Sequence, residues 1–364
     1  MPTIETNYYA AWIGKQSAKG TPNTTPSRRL QQQGGEVAFV RDDGSEEVSD
    51  LTKYGDTEDW VNSNLGRGDL ALHATPTELA YVLWLMHGAE AYSAISAVSG
   101  PPAIPAMARH RFTPTSTIGY YSTIFQRVGS SVGPRRHQSN DCVCTKVQIE
   151  ASTAAKMMRF TPSFISLDPS IPYAADPAAA MPSDRPFLFT DLSQVGSTPA
   201  ASIDGSLVVD GSTFRGVTQF SLTIDDAWEP IFGDSTTPYD FQQGNAGVQV
   251  GATIYFDAAG LAQWNTLVYG TASPTAGTRP IKAVPPLGSF TATVRQRTAA
   301  GAHAGREVVA TVPGVKWEIP PAPQPSSGGG AAEIALSGMM RPVSGQPAYT
   351  VDVLTDSAIV AFTT

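Results

Sequence analysis

The sequence predicts a mainly β fold, a β-sandwich or barrel of two related halves with one short helix each. Three observations carry that expectation. Stretches rich in Val, Thr, Ile and aromatic residues recur with period-two alternation. Gly (33) and Pro (29) punctuate them at short intervals. Only 15% of the 364 residues are charged, against about 25% in an average soluble domain.

Residues 1–35 read as an N-terminal arm of loop character, with Gly14, Gly20, Thr21-Pro22 and Gln31-Gln32-Gln33-Gly34-Gly35. A hairpin follows. Residues 36–40 alternate, Asp42-Asp43-Gly44 supplies the turn, and 46–51 returns. The mixed stretch 53–72 ends in a strand at 69–72. Helix signals then cluster. Thr75 caps, Pro76 takes the first helical position, Glu78 completes a capping box and Gly88 stops the helix. Leu79, Val82, Leu83 and Met86 form one face, and Tyr81, Trp84 and Leu85 cover much of the rest. A helix apolar on nearly all sides is buried on nearly all sides, in a core or between subunits.

Beyond a Pro/Ala-rich connector, strands are expected at 111–113, 117–127, 142–151 and 158–167, closing a first half of 36–170. Residues 171–186 form a Pro/Ala-rich linker. The second half, 187–364, opens with short strands at 187–192 and 206–210. Residues 217–225 alternate through Phe220, Leu222 and Ile224, and 247–256 alternate again. Asp257 caps a short helix with Leu261, Trp264, Leu267 and Val268 on one stripe, ended by Gly270. Strands are expected at 289–297, 306–319, 332–339, 350–354 and 358–362, with an exposed Pro/Ser/Gly-rich loop at 320–330. The two halves match in pattern more than identity: Thr-Pro-Thr-Glu-Leu-Ala (75–80) compares with Asp-Ala-Ala-Gly-Leu-Ala (257–262).

Charge and composition exclude several functions. The net charge is −8 and the pI about 5.1, which argues against a nucleic-acid binder but not against a wall that DNA slides past. Low charge also fits a surface covered by partners. Cys142 and Cys144 share a strand face with parallel side chains, a poor geometry for a disulfide. They read as small apolar strand residues of a protein assembled in a reducing cytoplasm. No run of 18 apolar residues and no signal peptide is evident.

Catalytic patterns are not found. His73, His87, His110, His137 and His303 are scattered, and neither a nucleophile elbow nor a phosphate-binding Gly loop occurs. Asp225-Asp226 and Glu229 read as a solvated turn rather than a carboxylate pair for glycoside hydrolysis. No enzyme activity, metal or cofactor is expected. Asp42, Asp43, Glu46 and Glu47 cluster on the hairpin tip, as a solvated turn or as an acidic surface facing a channel or a neighbouring ring. Arg135-Arg136-His137 is the main basic patch, placed in a Gly/Pro loop. It is too small for strong DNA affinity and is suited to a salt bridge with a neighbour or to plain exposure.

Ala11-Trp12-Ile13-Gly14-Lys15-Gln16-Ser17-Ala18-Lys19-Gly20-Thr21-Pro22 is similar to the opening of siphophage tail tube proteins, the major tube subunits of long-tailed bacteriophages. So are the Leu-rich helix 79–88 ending in Gly, His110-Arg111-Phe112-Thr113-Pro114, the strand 142–150, and above all 217–225 through Glu229-Pro230 into 247–257. The resemblance spans the chain and lies in the order of unspecific motifs; the 168–186 and 320–330 segments depart from it.

The resemblance implies rings whose inner strands join into one barrel shared across subunits, which removes exposed sheet edges. Val147, Ile149, Phe220, Leu222 and Ile224 mark the candidate inner-sheet strands. Tyr8, Trp12, Asp42, Asp43, Glu46, Glu47, Trp84, Arg135 and Arg136 are candidate contacts between subunits or rings. The expected partners are other copies of the chain, three per ring with pseudo-six-fold symmetry rather than six. They also include a tape measure protein in the lumen, and tail terminator and distal tail proteins. DNA passes without specific binding, no membrane is involved, and the location is the virion. The alternative is an extracellular carbohydrate-binding β-sandwich module, which requires an exposed aromatic platform and a monomer.

Overall fold

The structure is a computed structural model. It describes residues 9–47, 57–97, 99, 105–129, 134–179, 181, 183–191, 206–214, 217–233, 238–280, 287–297, 303–323, 332–359 and 361–362. The chain is mainly β. In order come β1 (Tyr9–Lys15), β2 (Arg28–Leu30), β3 (Gln32–Gly34), β4 (Ala38–Glu47), β5 (Thr57–Asp69), β6 (Ala71–His73), helix α1 (Pro76–His87), β7 (Ala91–Ile95), β8 (Met107–Phe112), β9 (Ser122–Val128), β10 (Arg135–Ser152) and β11 (Arg159–Pro172). Then follow β12 (Ser206–Val209), β13 (Ser212–Phe214), β14 (Val217–Asp225), β15 (Trp228–Ile231), β16 (Asp240–Gln243), β17 (Gly247–Tyr255), helix α2 (Ala258–Tyr269), β18 (Gly288–Arg297), β19 (His303–Trp317), β20 (Glu333–Met340) and β21 (Thr350–Asp356).

All ladders are antiparallel. One line of neighbours runs β11–β10–β14–β17–β20–β19–β18–β12–β13, with β5 and β6 on the outer edge of β11. Two branches leave it, β10–β9–β1–β2 and β19–β21–β8–β7. β15 and β16 form a separate ribbon. Among the described residues no ladder joins the end of one branch to another, so the sheet they form stays open.

The branch points have local causes. β10 pairs with β11 along its length but divides its other edge, 135–142 against β9 and 146–152 against β14. Asp141 adopts φ 48° there, and register shifts flank it, which bends the strand as bulges do. β19 divides likewise, 307–311 against β21 and 315–317 against β20. Pro313, which has no N–H to donate, lies between. A Cβ on the adjacent Gly314 would sit 2.3 Å from the Arg341 carbonyl oxygen.

One core unites both halves of the sequence. α1 is buried on every side and packs on β8, β10, β19 and β21. Phe160, Phe164, Phe220, Phe290 and Trp317 belong to the same apolar cluster. Each such side chain contributes roughly 1.5–3 kcal/mol by leaving water. β14 adds to β10 and β21 adds to β8, so ladders cross the 171–186 segment in both directions.

The helix starts and stops follow the capping signals. Thr75 Oγ1 accepts from the Glu78 N–H, and Gly88 closes α1 in the left-handed region with φ 68°. Asp257 and Gly270 do the same for α2. The apolar stripe expected on α2 is only partly core-facing: Leu267 and Val268 are buried, but Leu261 is 42% exposed.

Several expectations need correction. Part of the predicted loop-like arm is strand: β1 pairs with β9 along its whole length. Asp42-Asp43-Gly44 is no turn. β4 runs through it, and a register shift there leaves Asn62 of β5 as the extra residue. Arg135, Arg136 and His137 begin β10 rather than occupy a loop, because β9 pairs with them. Residues 189–191 form a 3-10 turn, and 358–362 form no strand among the described residues. β7, β13, β15 and β16 were not expected. Their short runs carry too little periodicity to stand out.

Candidate assembly surfaces

The central strands sort their side chains by alternation. Val147 and Ile149 of β10, and Phe220, Leu222 and Ile224 of β14, are all at most 2% exposed and face the core. These five therefore lie in the central sheet but on its inward, apolar side. Their sequence neighbours form the opposite face. Thr161, Gln148, Thr223 and Gln249 stand side by side across four strands. In the next row stand Arg159, Glu150, Ser221, Gly251 and Ser337. Sequence reasoning named the strands by their apolar members and passed over these polar ones, although the same period-two rule assigns them.

Charges on that face are matched. Lys146 lies opposite Asp225 and Glu150 opposite Arg159, placements that favour opposite signs. A broad surface of hydroxyls and amides with cancelled charge offers no cationic lattice for phosphates and only isolated apolar residues, such as Met339 (56% exposed).

The candidate contact residues are dispersed. Tyr8 lies outside the described residues, as do the side chains of Asp42, Asp43, Glu46 and Glu47; the backbone of those four belongs to β4. Trp12 is 2% exposed, packed beside Ala10 and Phe125 with the Arg29 and Arg127 guanidinium groups 5.5 and 5.8 Å from its ring. Trp84 is 3% exposed, among Tyr81, Tyr120 and Phe362. Both indoles are used within the chain and present almost nothing to a neighbour. The basic patch is neutralised internally as well. Arg135 pairs with Glu36, His137 Nε2 lies 3.3 Å from the same carboxylate, and Arg136 Nε is 2.9 Å from Asp176. Burial, then the Arg135 charge, holds the His137 imidazole below its ordinary pKa.

Two features project instead. β7, Ala-Tyr-Ser-Ala-Ile, is paired on one edge only among the described residues, and its first four residues are exposed. It has no charge, proline or bulge of the kind that blunts a free edge. The β4–β5 hairpin is anchored to β11 through 66–69. Beyond that, its strands pair only with each other among the described residues.

Neither a protein-family model nor a curated protein matches this chain. Among the described residues no group of His, Cys, Asp and Glu is placed to hold a metal, and no helix is long and apolar enough to cross a membrane. Cys142 and Cys144 are unpaired and buried, and burial pushes both thiols well above their ordinary pKa. The arrangement presents backbone edges and a neutral polar sheet, which suits it to pairing with other chains through main-chain hydrogen bonds.

Proposed function

We propose that this chain is the tube subunit of a long-tailed phage tail, a tail-tube-type β-sandwich stacked as rings around a channel. The observation that carries the reading is that, among the described residues, the sheet is open and β7 forms an unguarded margin. An uncharged free edge is a liability in a lone protein and an asset in one that completes its sheet with copies of itself. The neutral Gln/Thr/Ser face of β10, β14 and β17 suits the channel wall, since DNA then passes without sticking. The core side of the same strands, marked by Val147 and Leu222, holds the outer layer.

In this reading the partners are further copies, three per ring, with a tape measure protein in the lumen and tail terminator and distal tail proteins at the ends. DNA transits, and the place of function is the virion. Length supports three chains: about 150 residues make one ordinary domain, and this chain holds more than twice that.

Sedimentation and cryo-EM of the purified protein test it. Concentration-dependent tubes with three-fold rings are expected. Strict six-fold averages sink the trimer, and a monomer that binds sugar sinks the tube in favour of the carbohydrate module.

A further inference from the structure

The net charge of this chain is concentrated in one place. Between Asp42 and Asp59 the sequence has eight acidic residues against Lys53 alone, a net of −7. The whole chain carries −8, so everything outside this segment is nearly neutral, at −1. Within it, residues 42–47 belong to β4 and 57–59 to β5, at the outer end of their ladder, while 48–56 lie outside the described residues. At about 3.3 Å per residue, the strands from Gly66 to Thr57 extend roughly 30 Å past their last pairing with β11. Like charge at this density in the sequence favours a cationic partner surface.

The same chain has such a surface elsewhere. Residues 6–35 contain Lys15, Lys19, Arg28 and Arg29 and no Asp or Glu. Lys19 is taken by Asp240, at 3.6 Å, and Arg29 lies over Trp12. Lys15 and Arg28 line a groove of about 480 Å³ beside α1. Lys15 Nζ is 4.1 Å from the Tyr120 ring centre, and the Arg28 guanidinium is 5.5 Å from that of Tyr81. Neither cation has an ion pair among the described residues. Glu78, the acid that Arg28 influences, already accepts from Gln31 and Thr75. Aromatic rings flank the two cations, and Asn23 and Ser27 add polar atoms to the groove's largely apolar lining.

We propose that the acidic β4–β5 hairpin of one copy seats in the Lys15–Arg28 groove of the next. The inference rests on the self-assembling reading above and names its recognition element. Hairpin and groove are different surfaces of one chain, so the contact is heterologous and propagates from copy to copy. Opposite charge steers the encounter and fixes which surface meets which.

A charge swap in the full-length protein tests this. Lys15→Glu with Arg28→Glu, and separately Asp42, Asp43, Glu46 and Glu47 all →Lys, should each lower the assembled fraction at least about tenfold in sedimentation at about 50 mM salt. The wild type should lose assembly as salt rises to about 500 mM. Mixing the two variants should restore association, since each supplies what the other lacks, and this rescue also shows that both are folded. If wild-type tubes form but neither swap weakens them, or the mixture fails to recover, the hairpin–groove contact is wrong and the tube reading stands. If the wild type stays monomeric at low salt, both fall.

Discussion

Glu78 Oε1 accepts the backbone N–H of Gln31 at 2.6 Å, tying the first turn of α1 to the segment between β2 and β3. The other carboxylate oxygen takes the Thr75 hydroxyl at 2.8 Å. The side chain is 1% exposed. Burial is the largest influence on it and raises its pKa from 4.5 to about 7, with the nearby Asp184 charge adding to the rise. The folded state therefore favours the protonated acid. Below about pH 4.5 both states hold the proton and no penalty exists. Between pH 4.5 and 7 the unfolded chain ionises first, so stability falls as pH rises. Above 7 the cost levels off on the order of 3 kcal/mol. Glu78→Gln keeps an acceptor for Gln31 and should flatten this dependence. Urea unfolding at pH 5 and pH 8 checks it: the wild type should lose midpoint between the two and the variant should not. An equal loss in both would assign the pH effect to other groups.

Cys142 and Cys144 make a second prediction. Both are at most 1% exposed and point into the same apolar cluster, while Val143 between them faces a separate one. A raised thiol pKa and lack of access both suppress thiolate chemistry. Native protein should react negligibly with a maleimide over hours at pH 7, and two thiols should react promptly in denaturant. Fast labelling of the native chain would show that the middle of β10 opens.

Local signals carried much of the architecture into the sequence. Thr75-Pro76 with Glu78, Asp257 before α2, and the alternation of 217–225 are decided by neighbours in the chain, and the structure follows them. The misreadings fall where a distant partner decides. Asp42-Asp43-Gly44 has turn chemistry, yet β5 pairs straight across it and absorbs the irregularity as a bulge. Arg135 and Arg136 look like an exposed basic loop until Glu36 and Asp176, distant in sequence, neutralise them. Trp12 and Trp84, expected as contacts between subunits or rings, are packed inside the chain instead. At the candidate surface, the Gln148–Thr223–Gln249 row was readable from alternation, whereas the exposure of β7 depends on which strands fail to cover it.

Under the proposed tube function, the neutral row predicts how the channel wall responds to charge. Gln148 and Thr223 sit on neighbouring strands, directly opposite one another, on the polar face. Gln148→Lys with Thr223→Lys would add two cations per chain without touching the core. Assembled protein should then gain salt-sensitive retention of DNA, with affinity falling steeply as salt rises. A filter-binding assay on wild-type and variant assemblies measures it, alongside thermal unfolding to show unchanged stability within a few degrees. If the variant gains no more DNA binding than a lysine pair placed elsewhere on the surface, this face does not line the channel.

β7 offers the sharpest test of shared sheets. Its neighbour β8 holds it along five residue pairs, from Ala91 opposite Arg111 to Ile95 opposite Met107. Ser93 and Ala94 are both exposed and point to opposite faces of the strand. Lysines at both positions leave every backbone group of the β7–β8 ladder in place while guarding the free edge, as natural edge strands do. Ser93→Lys with Ala94→Lys should therefore fold with an unfolding midpoint close to the wild type, since exposed substitutions usually shift stability by about 0.5 kcal/mol or less. Assembly should be lost, because an incoming strand would have to bury two ammonium groups against its own side chains. Circular dichroism and sedimentation on one preparation separate the two effects. Tubes of normal length from this variant would mean that copies meet somewhere other than β7.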